Sequence, residues 1–453
     1  MTVSDVSGPY VSSDLRARWL AVTSVAVGTF TVVTSEMLPV GLLTSMAGEL
    51  GVSAGTAGLA MSAPGLVAAV SAPLLAVTAR RLDRRVILLS LMALLAVANL
   101  AAALAPNHPV MLAARVLTGV SIGGFWAFAA GLGTRLVPER SVGRATSIIL
   151  GGVSVASVLG VPAATFVSSF AGWRSAFAAA GVLALALLVL LATTLPPLKP
   201  QPEPASDLEP PAEPASGLKP PAGPALDLKP PIEPASGLEP PIEPASPQKP
   251  PTVPLPSPMP EKGSSWLSGP LKAVLVLTVL TISGHFAAYT YVRPFMEQIT
   301  HAGPALVSTA LLLYGAAGVA GNFAAGARAA RNPSATLIVL VTLMAAAMAG
   351  LVLIGLPPLV ALLVWGLGYG GVGVTLQLWI MRSGGGEMGT ALFVGAFNVS
   401  IALGSFAGGR IADGVSVSAV MWVGAGLAVL SGVVAGIAGR SAQRGRRWHR
   451  GQE

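Results

Sequence analysis

The stretch "TFTVVTSEMLPVGLL", residues 29–43, decides how the rest of the chain is read. It is an apolar run with a single acid, Glu36, past its middle. Extended both ways it covers residues 19–44, the length that crosses a bilayer core as a helix. Runs of similar length recur at 55–77, 86–105, 110–136, 142–168, 174–195, 270–292, 304–326, 334–355, 358–381, 388–410 and 416–438. That makes twelve spans, two sets of six around an insert of another character. With 453 residues at 53% hydrophobic and 10% charged, and a mean hydropathy of +0.72, the chain holds more apolar material than one water-soluble core buries. The expected fold class is therefore an all-α integral membrane protein. The first run exceeds signal-peptide length and no small-residue cleavage site follows it, so it reads as a retained span.

Charge placement sets the expected orientation. Seventeen arginines fall at the termini and on the segments that share their side, from Arg16 and Arg18 to Arg450, against three (Arg174, Arg293, Arg410) on the other side. By the positive-inside rule both termini are cytoplasmic. The excess of positive charge lies where anionic lipid headgroups accept it, so a sequence pI near 10.2 does not argue for nucleic acid. The chain has no cysteine, which excludes disulfides and thiol chemistry. His108, His285, His301 and His449 are too scattered to form a metal cluster, and no cofactor is expected. No Walker-type phosphate loop, histidine-glutamate metal motif or nucleophile elbow is present, which disfavours ATP-driven and enzymatic chemistry.

The insert repeats every ten residues from Pro204 to Val253: "PASDLEPPAE", "PASGLKPPAG", "PALDLKPPIE", "PASGLEPPIE", "PASPQKPPTV". Proline removes backbone donors and favours an extended path, so the segment is not expected to pack as a domain. It is either a tolerated repeat expansion or a docking arm. The expected organisation is a six-span half at 1–196, the proline-rich cytoplasmic linker at 197–263, a second six-span half at 264–438 and a basic tail at 439–453.

The two halves resemble each other. "GVSIGG" in the fourth span, with Gly119, Gly123 and Gly124, matches "GLGYGG" in the tenth, with Gly366, Gly370 and Gly371. "GGVSVASVLG" in the fifth matches "GAFNVSIALG" in the eleventh, which sets Gly160 over Gly404. "ARRLDRR" after the second span parallels "ARAARN" after the eighth, at nearly the same offset. A duplicated six-helix unit usually holds a central mid-membrane site that opens alternately to each side.

The chain resembles a major facilitator superfamily transporter of the twelve-helix drug:proton antiporter family, near the bacterial sugar, purine and chloramphenicol efflux group. The resemblance rests on "GTFTVVTSEMLPVGLL", "RVLTGVSIGG", "GVPAATFVSSFAGWRSAF", "GHFAAYTYVRPF", "LLLYGAAGVAGNFAAG" and "FNVSIALGSFAGG", in the family's order. It implies a major facilitator fold and proton-coupled efflux of a small drug or metabolite, by a monomer in the bacterial inner membrane. Three departures stand out. "TARRLDRR" lacks the family's glycines, Ala163 and Ala164 replace a frequent glycine, and Arg293 stands where relatives carry a small or apolar residue.

Several residues follow as candidates. Glu36 is the only acid well inside a span, and the family carries a glutamate there; a carboxylate in hydrocarbon is functional by default. It either couples protons, pairs with a cationic substrate, or ties its helix to a neighbour. Arg115, which matches a family arginine, either tunes a nearby carboxylate, stabilises a gate, or reaches the outer interface. His285 either titrates or is a hydrogen-bonded core residue. Trp126, Tyr289, Tyr291, Asn322, Gln377 and Asn398 are candidates for the substrate cavity, with Trp379 beside them. Asp83, Arg84 and Arg85 are expected to latch the halves on the cytoplasmic side, or else to form a solvated loop. Gly160 and Pro162 are expected to bend the fifth span and let it pack closely. Two alternatives remain open: proton-coupled uptake of a sugar or nucleoside, and a transport-inactive receptor or scaffold.

Overall fold

The computed structural model describes residues 9–79, 82–129, 132–198, 268–383 and 386–450, all within one compact unit. The ten-residue repeats, Arg80 and Arg81 lie outside the described residues. Among the described residues every regular element is helical. The spans are α1 (Pro9–Leu50), α2 (Ala54–Thr78), α3 (Arg84–Ala103) and α4 (His108–Ala129), followed by α5 and α6 within a continuous stretch, Glu139–Thr194. The second half has α7 (Gly269–Tyr289, continued by the short helix Val292–Gln298) and α8 (Pro304–Ala329). It continues with α9 (Pro333–Leu353), α10 (Pro358–Gly370, resumed at Val372–Arg382), α11 (Gly386–Gly414) and α12 (Val417–Arg450).

Among the described residues eleven segments are long and apolar enough to cross a membrane, and one of them is double. Glu139–Thr194 has 56 residues. As a straight helix that is about 84 Å, far more than a hydrocarbon core of about 30 Å. It breaks at Gly172, whose φ of +75° and ψ of 163° suit a residue without a Cβ. Residues 142–171 are thus α5 and 173–194 are α6, giving the twelve expected crossings. α12 runs on as helix to Arg450, so the segment expected as a tail continues the last span.

The helices start where the chemistry favours it. Ser53, Asp83, Ser268 and Asn332 accept from the first-turn amides of α2, α3, α7 and α9. Pro304, Pro333 and Pro358 occupy first positions, where a missing amide costs nothing.

Packing reproduces the internal repeat. A Cβ on Gly119 or Gly123 would strike the α2 backbone around Pro64 and Ala68. One on Gly366 or Gly370 would strike the α8 backbone at Tyr314 and Gly318. Gly160 sits against Thr34 of α1, and its counterpart Gly404 sits against Ser283 of α7. Each half therefore makes the same helix pairs. The halves meet where α2 crosses α11, with Gly65 on Asn398 and Ala402, and where α5 crosses α8, with Gly315 on Ser157 and Val158. Below, the end of the bundle holding the α1–α2 turn is the far end, and the end holding the described chain ends is the near end.

Candidate functional site

The site is built around a break in α1. Pro39 lies inside this helix and has no amide hydrogen, so the carbonyl four residues earlier, Ser35, loses its helical partner. Pro64 does the same to Ala60 in α2. Arg115 of α4, wholly buried, takes both places. Its Nε donates to Ala60 O at 2.8 Å, one terminal nitrogen to Ser35 O at 2.8 Å and the other to Glu36 O at 2.9 Å. The guanidinium is thus spent on backbone carbonyls of two proline-broken helices. It forms no ion pair with the Glu36 carboxylate and does not reach the outer interface. The ring of Phe177 covers it at 5.9 Å, a cation–π contact. Asn99 of α3 completes this polar core by donating to Ser35 Oγ at 3.0 Å.

Glu36 lies next to the break and is 6% exposed. Among the described residues nothing hydrogen-bonds to its carboxylate. Arg115 and, from the other half, Tyr369 are close enough to interact with it electrostatically. An ionisable group at mid-membrane is costly, and that cost marks a group kept for a proton or a ligand.

Facing it from the second half is a cluster of rings on α7, α8 and α10. His285 stacks on Tyr369 with centroids 3.5 Å apart and planes 8° from parallel, and on Tyr289 at 5.0 Å. Tyr289 stacks in turn on Tyr314 at 4.6 Å, and Trp365 stands edge-on to His285 at 5.7 Å. Trp365 Nε1 donates to His285 Nδ1 at 3.1 Å. An indole nitrogen only donates, so Nδ1 carries no proton here and the ring hydrogen sits on Nε2, 3.3 Å from Tyr314 Oη. His285 is therefore hydrogen-bonded through both ring nitrogens within the stack. Tyr369 is the half-buried member that interacts with Glu36.

The other expected residues divide. Tyr289 joins the stack, but Tyr291 does not line a cavity. Its ring is buried against Gly58 of α2 and Gly409 of α11, and its hydroxyl donates to Ser405 O at 2.9 Å. Gln377 Nε2 donates to Thr390 Oγ1 at 3.2 Å and ties α10 to α11. Trp379 is buried in the second half's core. Trp126 packs edge-on to Phe125 at 6.3 Å within the first half. Asn398 turns its amide back to Val394 O at 2.9 Å, and Asn322 is half-buried on α8. Asp83, Arg84 and Arg85 do not join the halves in this conformation. Asp83 accepts from Arg85 N and Leu198 N, Arg85 donates to Ala192 O, and Arg84 lies over Phe128, all in the first half. Gly160 ends a π-helical turn, Ala156–Gly160, two residues before Pro162, so α5 is widened where it packs on α1 and α8.

At the far end the halves are joined. Leu43, Ala47 and Ala57 of the first pack with Ala287, Tyr291 and Val420 of the second. Asp413 of α11 accepts from Ser53 Oγ at 2.6 Å and from Gly55 N at 2.8 Å, and so caps α2 from the opposite half. The conformation is closed at that end.

Sequence reasoning named Glu36, His285 and Tyr289 but not Tyr314, Trp365 or Tyr369, which complete the stack. It also missed the link from Arg115 to the prolines, although Ser35 and Ala60 precede Pro39 and Pro64 by the four residues that orphan a carbonyl.

The family model of the Major Facilitator Superfamily matches residues 25–394. OpdE of Pseudomonas aeruginosa, named a transcription regulatory protein, is 31% identical over 449 residues, covering 97% of this chain and 99% of its own length. The purine ribonucleoside efflux pump NepI of Salmonella typhimurium is 28% identical over 425 residues, covering 92% of this chain and 94% of its own. Among solved structures, the nucleoside transporter NupG aligns with a TM-score of 0.64 at 10% identity, covering 92% of this chain and 99% of that one. A bacterial homologue of the human lysosomal transporter Spinster, inward-facing and unoccupied, aligns at 0.59 with 17% identity, covering 96% of each chain. With its twelve crossings, its repeated half and a match over most of its length, the chain belongs to the Major Facilitator Superfamily: it is a multi-pass membrane transporter, not an enzyme.

Proposed function

We propose that this chain exports a small organic molecule in exchange for protons, with Glu36 as the group that carries the proton. The observation that carries the reading is Glu36, a residue only 6% exposed whose carboxylate has no hydrogen-bond partner among the described residues. A carboxylate so placed binds either a proton or a donor group of the substrate, and competition for one acceptor couples the two flows. Tyr369 offers the substrate a ring to stack on within reach of the same carboxylate. A flat, nitrogen-bearing aromatic molecule fits both features, and the NepI likeness supports that class and the outward direction.

In the cycle, with the termini cytoplasmic, the far-end-closed conformation presents Glu36 to the cytoplasm, where it gives up its proton as substrate binds. After the switch the substrate leaves outside and Glu36 is protonated there. Arg115 is a positioning residue: it fixes the carbonyls on either side of the coupling position and holds α1 to α2. The partners are thus the substrate, protons and the lipids of the bacterial inner membrane, and no cofactor takes part.

The OpdE likeness favours a second reading, a membrane receptor or scaffold, because that relative is named for regulation and matches across nearly its whole length. The NupG likeness is compatible with uptake of a nucleoside. Acid-loaded inverted membrane vesicles separate the three. Addition of nucleosides, drugs or sugars is expected to release protons from the lumen. Co-accumulation of protons with substrate would identify uptake, and silence across a broad panel with substrate-binding intact would favour the scaffold.

A further inference from the structure

Helices α9 and α12 pack side by side and are joined at the near end, where Ser334 Oγ donates to Ala435 O at 2.7 Å. On their outward side they part and leave an open trough of about 900 Å³. Its floor is Val341, Ala345 and Ala425, all buried, and its rim is Val429, Val433 and Ile437, all more than half exposed. Along α9 it runs from Ile338 to Ala349, about 17 Å of helix, close to the ~15 Å that one leaflet gives a hydrocarbon core of ~30 Å. The internal repeat shows why it is open. At the offset that sets Gly160 over Gly404, the buried Ala176, Phe177 and Ala184 of α6 fall on the buried Val420, Met421 and Ala428 of α12. In that register Gly426 stands over Val182, and Gly432 over Leu188, whose side chain packs on the first half's core. The second half thus leaves this volume to something other than its own side chains.

Charge narrows what fits. Arg440 lines the near end of the trough; it is exposed and, among the described residues, makes no hydrogen bond or ion pair. Arg328 and Arg331 precede α9 at the same end, and Arg444, Arg446, Arg447 and Arg450 follow Arg440 in sequence. Residues 304–353 and 414–452 contain no acid, so no carboxylate on α8, α9 or α12 offsets these arginines. The remaining walls are apolar, since Thr342 spends its hydroxyl on Ile338 O at 2.7 Å. A matching molecule has a negative head and a hydrocarbon chain. We propose that the trough binds one anionic phospholipid, with its phosphate on Arg440 and one acyl chain lying along Val341 and Ala345. A guanidinium forms paired hydrogen bonds to a phosphate, and a basic cluster at a span end favours anionic headgroups.

Two other occupants match less well. A zwitterionic headgroup brings an ammonium toward the same arginines. A second copy of the chain, paired face to face across the trough, sets two arginine-bearing ends side by side with no acid on either helix between them. Glu36 and the ring cluster lie on α1, α7, α8 and α10, so the lipid site is separate from them. Its test uses neither substrate nor proton gradient and fails separately from the coupling reading.

Purified full-length protein is titrated in detergent with dioleoyl phosphatidylglycerol or dioleoyl phosphatidylcholine, and bound lipid is counted by native mass spectrometry. The native chain is expected to retain one phosphatidylglycerol at concentrations where phosphatidylcholine is lost. Arg440→Gln is expected to weaken that retention about fivefold, the worth of one basic residue at an anionic surface, and to leave phosphatidylcholine unchanged. Gly432→Leu keeps every charge and restores the side chain that the first half carries; its Cβ position meets only the Val341 side chain within 4 Å. It is expected to stay monodisperse and to lose the retained lipid. Gly426→Leu, whose Cβ position meets nothing within 4 Å, carries the test if Gly432→Leu does not fold. Equal retention of the two lipids by the native chain would overturn the proposal. So would native retention in the leucine variants, which would leave only attraction to surface arginines. A dimer that Gly432→Leu dissociates, in place of a lipid adduct, would give the trough to a second copy and overturn the proposal as well.

Discussion

At the scale of single residues, two buried charges of the first half have different work, and backbone chemistry explains why. Arg115 answers to prolines. Removing its side chain leaves the carbonyls of Ser35 and Ala60 buried without a donor, at about 1–3 kcal/mol each. Arg115→Ala is therefore expected to lower thermal stability in detergent by an amount on the order of 3 kcal/mol. Pro39→Ala, by returning an amide to Ser35 O, is expected to recover part of that loss. A melting temperature for the double variant no higher than for Arg115→Ala would contradict the account. Glu36, by contrast, has no partner to lose. Its place was legible in the sequence because a lone acid in an apolar run stands out. The role of Arg115 was not, because hydrogen bonds to carbonyls leave no trace in residue identity beyond the prolines that create the vacancy. The ring stack was hidden for another reason: His285, Tyr314 and Trp365 lie 29 and 80 positions apart, and aromatic residues within a span look the same whether they pack or bind.

At the scale of elements, small residues set how closely helices approach, and their positions repeat between the halves. The Cβ position of Gly370 falls on the backbone of Gly318 in α8, so any side chain there forces α8 and α10 apart. Gly373, on the same span, has nothing within 4 Å of its Cβ position. Gly370→Leu is expected to abolish the monodisperse folded peak in size-exclusion chromatography, and Gly373→Leu to leave it intact. Equal behaviour of the two would show that the crossing tolerates separation. Span positions were readable because length and hydropathy are local properties. The boundary between α5 and α6 rests on Gly172, whose positive φ breaks an otherwise continuous apolar stretch. Contacts between halves, including those that close the far end, depend on conformation as well as sequence. The cytoplasmic latch expected of Asp83, Arg84 and Arg85 is for the same reason not seen in a conformation closed at the other end.

At the scale of the whole molecule, the transporter is two copies of one packing scheme around an unpartnered carboxylate. The proline-rich repeats join the halves in sequence, and the reading of them as a tolerated expansion asks no group of them in the site. Deletion of residues 204–253 is thus expected to leave transport per folded molecule unchanged, and a clear loss at equal expression would assign the segment a working role. One group, Glu36, is proposed to serve both flows. The most direct measurement is made on Glu36→Gln in proteoliposomes with a substrate identified for the native protein. Exchange of labelled for unlabelled substrate, which needs no net proton movement, is compared with accumulation driven by a pH gradient. Exchange retained with gradient-driven accumulation lost is the predicted result. Accumulation that persists at the native rate would show that the proton travels by another group and would contradict the account.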